Sequence, residues 1–380
     1  MLLGRACVQR SCRWGSLTLA TMLAAVAVVG PAEARHRLFR HQAEESYDPA
    51  YASIVVDANS GVTMESSNAD SPRHPASLTK IMTLYLLFER LDNGEIKLNS
   101  PLQVSTHAAL QHPVKLGLKA SQTITVEDAI KGLVTRSAND AAAVIAEAIG
   151  GSEEEFAKLM TLKARALGMT STTYMNASGL PADEQITTAH DQALLGRAIQ
   201  QRFPIHYRYF ATPSFRYKGT DIRNHNNLLG QVRGVDGIKT GYTEASGYNL
   251  VSSVRRDERH IVAVVLGGTS NAARDARMRQ LIEDNIAQAS TQQTAPFIVE
   301  LSGEDAAKAH AEALQAHAEA LQAHAEALKK ADAVPIPPPR PAGAPTFDGS
   351  KVAATAKGSH HRVQRRRQDR QTHLHDGSGA

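Results

Sequence analysis

The stretch from residue 236 to residue 268, DGIKTGYTEASGYNLVSSVRRDERHIVAVVLGG, decides how the chain is read. GYNLVSSVRR and RHIVAVVLGG are β-rich runs around a charged turn, so they read as a hairpin. DGIKTGYT leads into that hairpin and carries Lys239-Thr240-Gly241. On local grounds alone, Gly237 and Gly241 are turn residues and Lys239 is a solvated lysine on an edge strand. A second β-rich pair, ASIVVDANSGVTMES from Ala52, lies near the other end of the folded region, with ANSG as its turn signal. The two pairs bracket a mostly helical middle, which predicts an α/β (α+β) fold with one antiparallel sheet flanked by helices.

Helix punctuation organises the middle. SLTKIMTLYLLFERLDNG is apolar almost all round from Leu78 to Leu91 and stops at Gly94, the pattern of a buried central helix. Ser152 and Glu155 form a capping box for the helix that Gly168 closes. TVEDAIKGLVTRSANDAAAVIAEAIGG reads as a helix interrupted at RSAND, where Ser137 or Asn139 can cap the second half.

The bulk properties set bounds. The 380 residues are 42% hydrophobic and 21% charged, enough for a substantial core. A net charge of +4 is too mild for a dedicated nucleic-acid binder. Arg5, Arg10 and Arg13, an apolar run over Ser16 to Gly30 and the small-x-small site Ala32-Glu33-Ala34 predict a cleaved secretory signal over 1–34. The run is short for a membrane span. Both cysteines, Cys7 and Cys12, fall inside it, so the processed chain has neither a disulfide nor thiol chemistry. Secretion without disulfides points to a bacterial envelope.

A folded unit is expected over 46–289, followed by two segments of different character. In residues 290–334, AHAEALQAHAEALQAHAEALK carries Leu314, Leu321 and Leu328 on one stripe beside Ala311, Ala318 and Ala325, a seam thin enough to read as a helical spacer. His310, His317 and His324 stand two turns apart and cannot share a metal ion within one helix. Residues 335–380 continue with a proline-rich linker and the basic HHRVQRRRQDRQTHLH, a tail suited to anionic polymer or lipid headgroups.

Ser77 and Lys80 open the buried helix three residues apart and so share a face. A serine becomes a nucleophile when a base takes its proton, and a lysine is that base if burial and a second cation pull its pKa down. Lys239 is the candidate second cation. Ser-x-x-Lys is expected roughly once by chance in such a chain, and Ser-x-Asn recurs at Ser66 to Asn68, but Lys-Thr-Gly is expected fewer than about 0.1 times. The order carries the weight: Ser77/Lys80 at a helix start, Ser137/Asn139 at a helix break, then Lys239 leading into strands.

With ASLTKIMT, SANDAA, MNASGLP, DGIKTGYTEASGYNLVSSV and VAVVLGG, the chain from Tyr51 to Ala289 resembles the low-molecular-mass penicillin-binding proteins that are D-alanyl-D-alanine carboxypeptidases. The resemblance implies the serine β-lactamase/transpeptidase-like fold with a helical subdomain. It implies Ser77 as nucleophile, Lys80 as general base and Ser137 as proton relay. Asn139 would hold the substrate amide, and the N–H groups of Ser77 and Tyr242 the oxyanion. Lys239, Thr240 and Gly241 form the third motif, with Lys239 and Thr240 at the substrate's terminal carboxylate. Arg274 matches a family arginine aimed at that carboxylate, and His225 stands where some members carry a basic residue. The implied partners are the peptidoglycan stem peptide and β-lactams, with no metal, cofactor or nucleic acid, in the periplasm or cell envelope.

Tyr174-Met175-Asn176 imitates a Tyr-x-Asn element but follows Ser137, so Asn176 and Gly179 read as a structural turn beside the site. A class A β-lactamase would carry a deacylating glutamate in a Glu-x-x-Leu-Asn run; that pattern occurs once here, at Glu95-Ile96-Lys97-Leu98-Asn99, directly after the Gly94 stop of the buried helix. A D,D-endopeptidase shares every motif. A non-catalytic envelope scaffold is opposed by the intact set of Ser77, Lys80, Ser137, Asn139 and Lys239. The β-rich second domain and terminal amphipathic helix of many relatives have no counterpart after residue 289.

Overall fold

Apolar alternation at both ends of the folded region builds one sheet in the computed structural model of the protein. The structure describes residues 50–302 and scattered helical positions between Glu304 and Glu326. The expected signal, the heptad leucines and histidines, the proline segment and the basic tail lie outside the described residues.

The first hairpin is β1 (Ala52–Asp57) with β2 (Thr63–Ser67). A single 3-10 turn over Ala76–Leu78 leads into α1 (Thr79–Asp92). A small ribbon of β3 (Pro101–Gln103) and β4 (Thr123–Thr125) encloses α2 (Thr106–Leu110). The helical body continues with α3 (Val126–Thr135), α4 (Asn139–Gly150), α5 (Glu153–Ala166), α6 (Ala189–Arg202) and α7 (Pro204–Tyr207). A second ribbon, β5 (Ser214–Tyr217) and β6 (Thr220–Arg223), precedes β7 (Val235–Thr243), β8 (Gly247–Arg256), β9 (Arg259–Gly268) and α8 (Asn271–Ile286). The main sheet runs β2-β1-β9-β8-β7 and is antiparallel throughout. Its two outer hairpins join where β1 pairs with β9, so the expected architecture is the observed one.

Both faces of the sheet are covered, and the period-2 pattern sorts them. Val55, Leu250, Val254, Ile261, Ala263 and Val265 meet Met278, Leu281 and Ile282 of α8. Ile54, Val56, Val251, Val262, Val264 and Leu266 face the helical body. The β8–β9 turn uses Asp257 at φ 48° and Glu258 at φ 67°. Two left-handed residues in a two-residue loop match the twist of the flanking strands.

The central helix is as buried as its composition requires: every residue of α1 from Thr79 to Phe88 is inaccessible. Ser152 Oγ accepts the Glu155 N–H at 3.2 Å and caps α5. The break between α3 and α4 is where RSAND placed it, but neither Ser137 nor Asn139 caps α4; Ala138 holds that position without a side-chain bond. Asn139 is the first helical residue, and its amide is engaged in tertiary contacts that override local capping. Past Ala289 the chain stays against the domain. Thr294 and Ala295 N–H groups donate to Asn59 O, both at 2.8 Å, and Glu300 accepts from Tyr85 Oη at 2.7 Å and Lys163 Nζ at 2.6 Å. Among the described residues no helix is long and apolar enough to cross a membrane.

One glycine is tied to the fold by space as well as conformation. Gly179 has φ +82°, and a Cβ there would lie 1.9 Å from Ala76 O. Gly94, at the end of α1, has φ +73° with nothing within 4 Å of such an atom. Gly94→Ala is expected to cost about 1 kcal/mol from backbone conformation alone. Gly179→Ala is expected to cost about 3 kcal/mol or more, because the main chain beside it must move. Urea unfolding of the two variants checks the difference; equal losses would contradict it.

Candidate active site

The 3-10 turn places Ser77 one turn before Lys80, and Lys80 Nζ lies 3.1 Å from Ser77 Oγ. The same nitrogen lies 2.8 Å from Asn139 Oδ1 and against the main-chain carbonyl of Ser178. Asn139 Nδ2 donates to His112 O at 3.0 Å, which turns its oxygen towards the lysine. Carbonyl oxygens only accept hydrogen bonds. A neutral amine has two N–H groups and one lone pair, so the two carbonyls use the N–H groups and the lone pair faces the Ser77 hydroxyl.

Electrostatics favour that protonation state. Lys80 is fully buried, and desolvation pushes its pKa well below the usual lysine range, assisted by the charge of Lys239 and opposed by Glu153 and Asp140. Lys239 is also buried, its Nζ donating to Thr240 O at 2.8 Å. Burial, with the nearby Arg274 guanidinium, brings its pKa down to about 7. His225 is pulled down to about 4 by burial and then by Lys239, Arg136, Arg274 and Lys80. These basic groups share one field, which a bound carboxylate would relieve.

The backbone at Ser77 is clamped from two sides. Ala76 stands at φ +47° immediately before Ser77. Gly179 presses on the Ala76 carbonyl from the 176–180 turn, and Gly241 of β7 comes so close that a Cβ there would lie 3.1 Å from Ser77 N and 3.2 Å from Pro75 O. Asn249 in β8 adds a tie: its Nδ2 reaches His74 O at 3.1 Å and Pro75 O at 3.3 Å, while its Oδ1 accepts the Gly267 N–H at 3.0 Å. Edge strand β7 is thereby held beside the start of α1. Tyr242 follows Gly241 directly in this strand.

The remaining expected residues gather around this centre. Ser137, at φ 61°, has a buried Oγ with no protein hydrogen-bond partner among the described residues. Thr240 is buried beside Lys239, whereas Tyr242 is 54% exposed, its ring 4.3 Å from that of Tyr248. Arg274 is buried, with Nη2 2.6 Å and Nε 2.9 Å from Asp275 Oδ1, and it reaches the site through its charge on Lys239.

Four contributors escaped sequence reasoning. Ser178 offers only its main-chain carbonyl, through a turn in which Asn176 Oδ1 accepts the N–H groups of Ser178 and Gly179 at 3.2 and 2.7 Å. Asn249 looks like any strand residue. Asp140 accepts N–H groups from Leu116, Gly117 and Leu118 at 2.9, 2.8 and 3.0 Å, fixing the loop that orients Asn139. Glu153 holds the Ala177 N–H at 3.0 Å. MNASGLP, SANDAA and DGIKTGYTEASGYNLVSSV, as whole motifs, hinted at Ser178, Asp140 and Asn249.

An antiparallel sheet over a helical body, with a buried lysine facing a serine at their junction, places the protein in the penicillin-recognising fold. The D-alanyl-D-alanine carboxypeptidase family profile matches residues 40–270. D-alanyl-D-alanine carboxypeptidase DacC of Escherichia coli is 37% identical over 240 residues, 61% of this chain and 60% of that protein. The crystal structure of the D-alanyl-D-alanine carboxypeptidase DacD from Francisella tularensis superposes with a TM-score of 0.59 at 32% identity, covering 61% of this chain and 69% of that one. Penicillin-binding protein D2 from Listeria monocytogenes, in its cefotaxime-bound form, gives 0.56 at 30% identity over 61% of this chain and 95% of that one. The chain belongs to the D-alanyl-D-alanine carboxypeptidase family. Its match spans about three-fifths of the length of the curated relatives.

The electrostatic coupling has a measurable consequence. A base must be neutral to act, so acylation of Ser77 falls as pH drops through the pKa of Lys80. Lys239→Met removes a repelling charge and raises that pKa, so the acidic limb of the acylation profile for a β-lactam probe should move to higher pH. An unmoved limb would show that Lys239 does not tune Lys80.

Proposed function

We propose that the protein is a serine D-alanyl-D-alanine carboxypeptidase that removes the terminal D-alanine from peptidoglycan stem pentapeptides and is acylated by penicillins. The observation that carries this reading is the buried Lys80 amine, whose two carbonyl partners leave its lone pair to Ser77. Family membership supports the substrate class.

In the proposed reaction the Lys80 lone pair takes the Ser77 hydroxyl proton as Oγ bonds to the carbonyl carbon between the two D-alanines. The N–H groups of Ser77 and Tyr242 receive the developing oxyanion, and the start of α1 adds its dipole. The C–N bond breaks, and the proton passes from Lys80 through Ser137 Oγ to the amine of the departing D-alanine, which gives the unpartnered hydroxyl its use. Asn139 holds the substrate amide, and Lys239 and Thr240 receive the terminal carboxylate. Water, deprotonated by Lys80, then cleaves the Ser77 ester. A β-lactam acylates Ser77 by opening its ring C–N bond, so its amine stays attached to the acyl group. The carboxylate of Glu95, in the Glu-x-x-Leu-Asn run, is exposed and bonded to Arg90 and Asn93, which supports slow release of that adduct.

For the rest of the chain, we propose that residues 1–34 direct export to the periplasm, that the heptads act as a spacer, and that the basic tail holds the enzyme to anionic wall polymer or lipid. Attachment of the full chain to envelope fractions should weaken at high salt. It should also be lost on truncation after Ser302, which keeps the Glu300 contacts; unchanged binding of the truncated protein would remove the tail from this role.

Ser77→Ala should abolish both D-alanine release from a pentapeptide and labelling by fluorescent penicillin, with the thermal transition retained. Release by the variant at the wild-type rate would overturn the assignment, and rapid continuous penicillin hydrolysis by the wild type would favour a β-lactamase.

A further inference from the structure

Glu153 opens α5, where the helix dipole favours a carboxylate. Its neighbours Glu154 and Glu155 are exposed and pair with Lys158 on the helix surface. Glu153 instead turns inward, its side chain 12% exposed, and ties together two other parts of the chain. Oε2 lies 2.7 Å from His107 Nε2 of α2 and accepts from Gln111 Nε2 at 3.3 Å. Oε1 accepts the Ala177 N–H at 3.0 Å.

Ala177 immediately precedes the carbonyl that meets Lys80. Its N–H is taken by Glu153, and its own carbonyl accepts from Thr83 Oγ1 of α1 at 2.7 Å. Both main-chain groups at 177 are therefore fixed, and the next carbonyl, that of Ser178, lies against Lys80 Nζ. Asn176 Oδ1 secures the other side of the same turn. The carboxylate also acts through its charge, with opposite sign. Lys239 of β7 disfavours the ammonium form of Lys80, whereas Glu153 of α5 and Asp140 of α4 favour it. The charges that displace Lys239 and His225 are cations, Arg274 on the first and Lys239, Arg136, Arg274 and Lys80 on the second.

We propose that Glu153 is a positioning residue for the acylation of Ser77, with two separable actions: its hydrogen bond to Ala177 holds the Ser178 carbonyl on the Lys80 amine, and its negative charge favours the protonated amine, which cannot act as base. The first action raises the rate, and the second confines it to higher pH. The assignment rests on the carboxypeptidase reading, which supplies the reaction, and adds to it a group that acts only through Lys80. Glu153→Gln separates the two actions, because the amide oxygen still accepts the Ala177 N–H but carries no charge.

The test compares the full-length protein with Glu153→Gln and Glu153→Ala by the pH dependence of acylation by fluorescent penicillin and of D-alanine release from a pentapeptide. In Glu153→Gln the acidic limb should move roughly half a pH unit or more to lower pH, opposite to the Lys239→Met displacement, with a plateau near that of the wild type. Glu153→Ala should show the same displaced limb, but a plateau about tenfold lower in kcat with KM little changed. A purely structural carboxylate would lower the thermal transition and leave the limb in place. An unmoved limb in Glu153→Gln, or equal plateaus in the two variants, overturns the proposal and leaves the carboxypeptidase reading standing. If Glu153→Ala does not fold, the limb of Glu153→Gln alone decides. If the wild type is neither acylated by penicillin nor releases D-alanine, the carboxypeptidase reading falls and the positioning role falls with it.

Discussion

A lysine side chain sealed inside a protein is the constraint around which this structure is arranged. Lys80 sits at 0% exposure in the first turn of a helix that is otherwise core. Burying an ammonium there without a counter-ion would be strongly unfavourable, whereas a neutral amine needs only its hydrogen bonds satisfied. Three separate parts of the chain meet that need: the 3-10 turn at Ser77, the start of α4 at Asn139 and the turn at Ser178. The helix break, the 176–180 turn and the loop pinned by Asp140 all serve to bring acceptors to one nitrogen.

The positive field works on the same group from a distance. Lys239 is low in pKa because it is buried and faces Arg274, and whatever charge it retains makes protonation of Lys80 less favourable. An anion bound at Lys239 would change that balance by favouring its charged form. On the proposed function, carboxylate binding at Lys239 and proton transfer at Lys80 are thus coupled without sharing a hydrogen bond.

Much of this was legible in the sequence, and for identifiable reasons. The β7–β9 run and the first hairpin announce the sheet through alternation, and α1 announces its burial through an all-round apolar face. Ser77, Lys80 and Lys239 could be singled out because side chains do their chemistry. The Ser178 carbonyl and the Asn249 tie could not, and Gly179 and Gly241 were legible as a turn residue and a motif member but not as a clamp on Ser77. They act through main-chain atoms or across more than a hundred residues, where local periodicity carries no signal. The expectation that Ser137 or Asn139 caps α4 failed for a related reason: local preference assigns a polar side chain to the nearest helix end, and here the tertiary partner of Asn139 outweighs it.

The Asn249 tie also bears on how the molecule comes into being. His74 and Pro75, which lead directly to the nucleophile, are fastened to a residue 175 and 174 positions further along, and Gly241 closes on Ser77 from nearly as far. Such long-range closures form late, after intervening segments have collapsed. A chain emerging N-terminus first therefore cannot complete the clamp on Ser77 until β7 and β8 have appeared and docked. On the proposed function, incomplete chains are inert towards acyl donors, and reactivity itself reports completed folding.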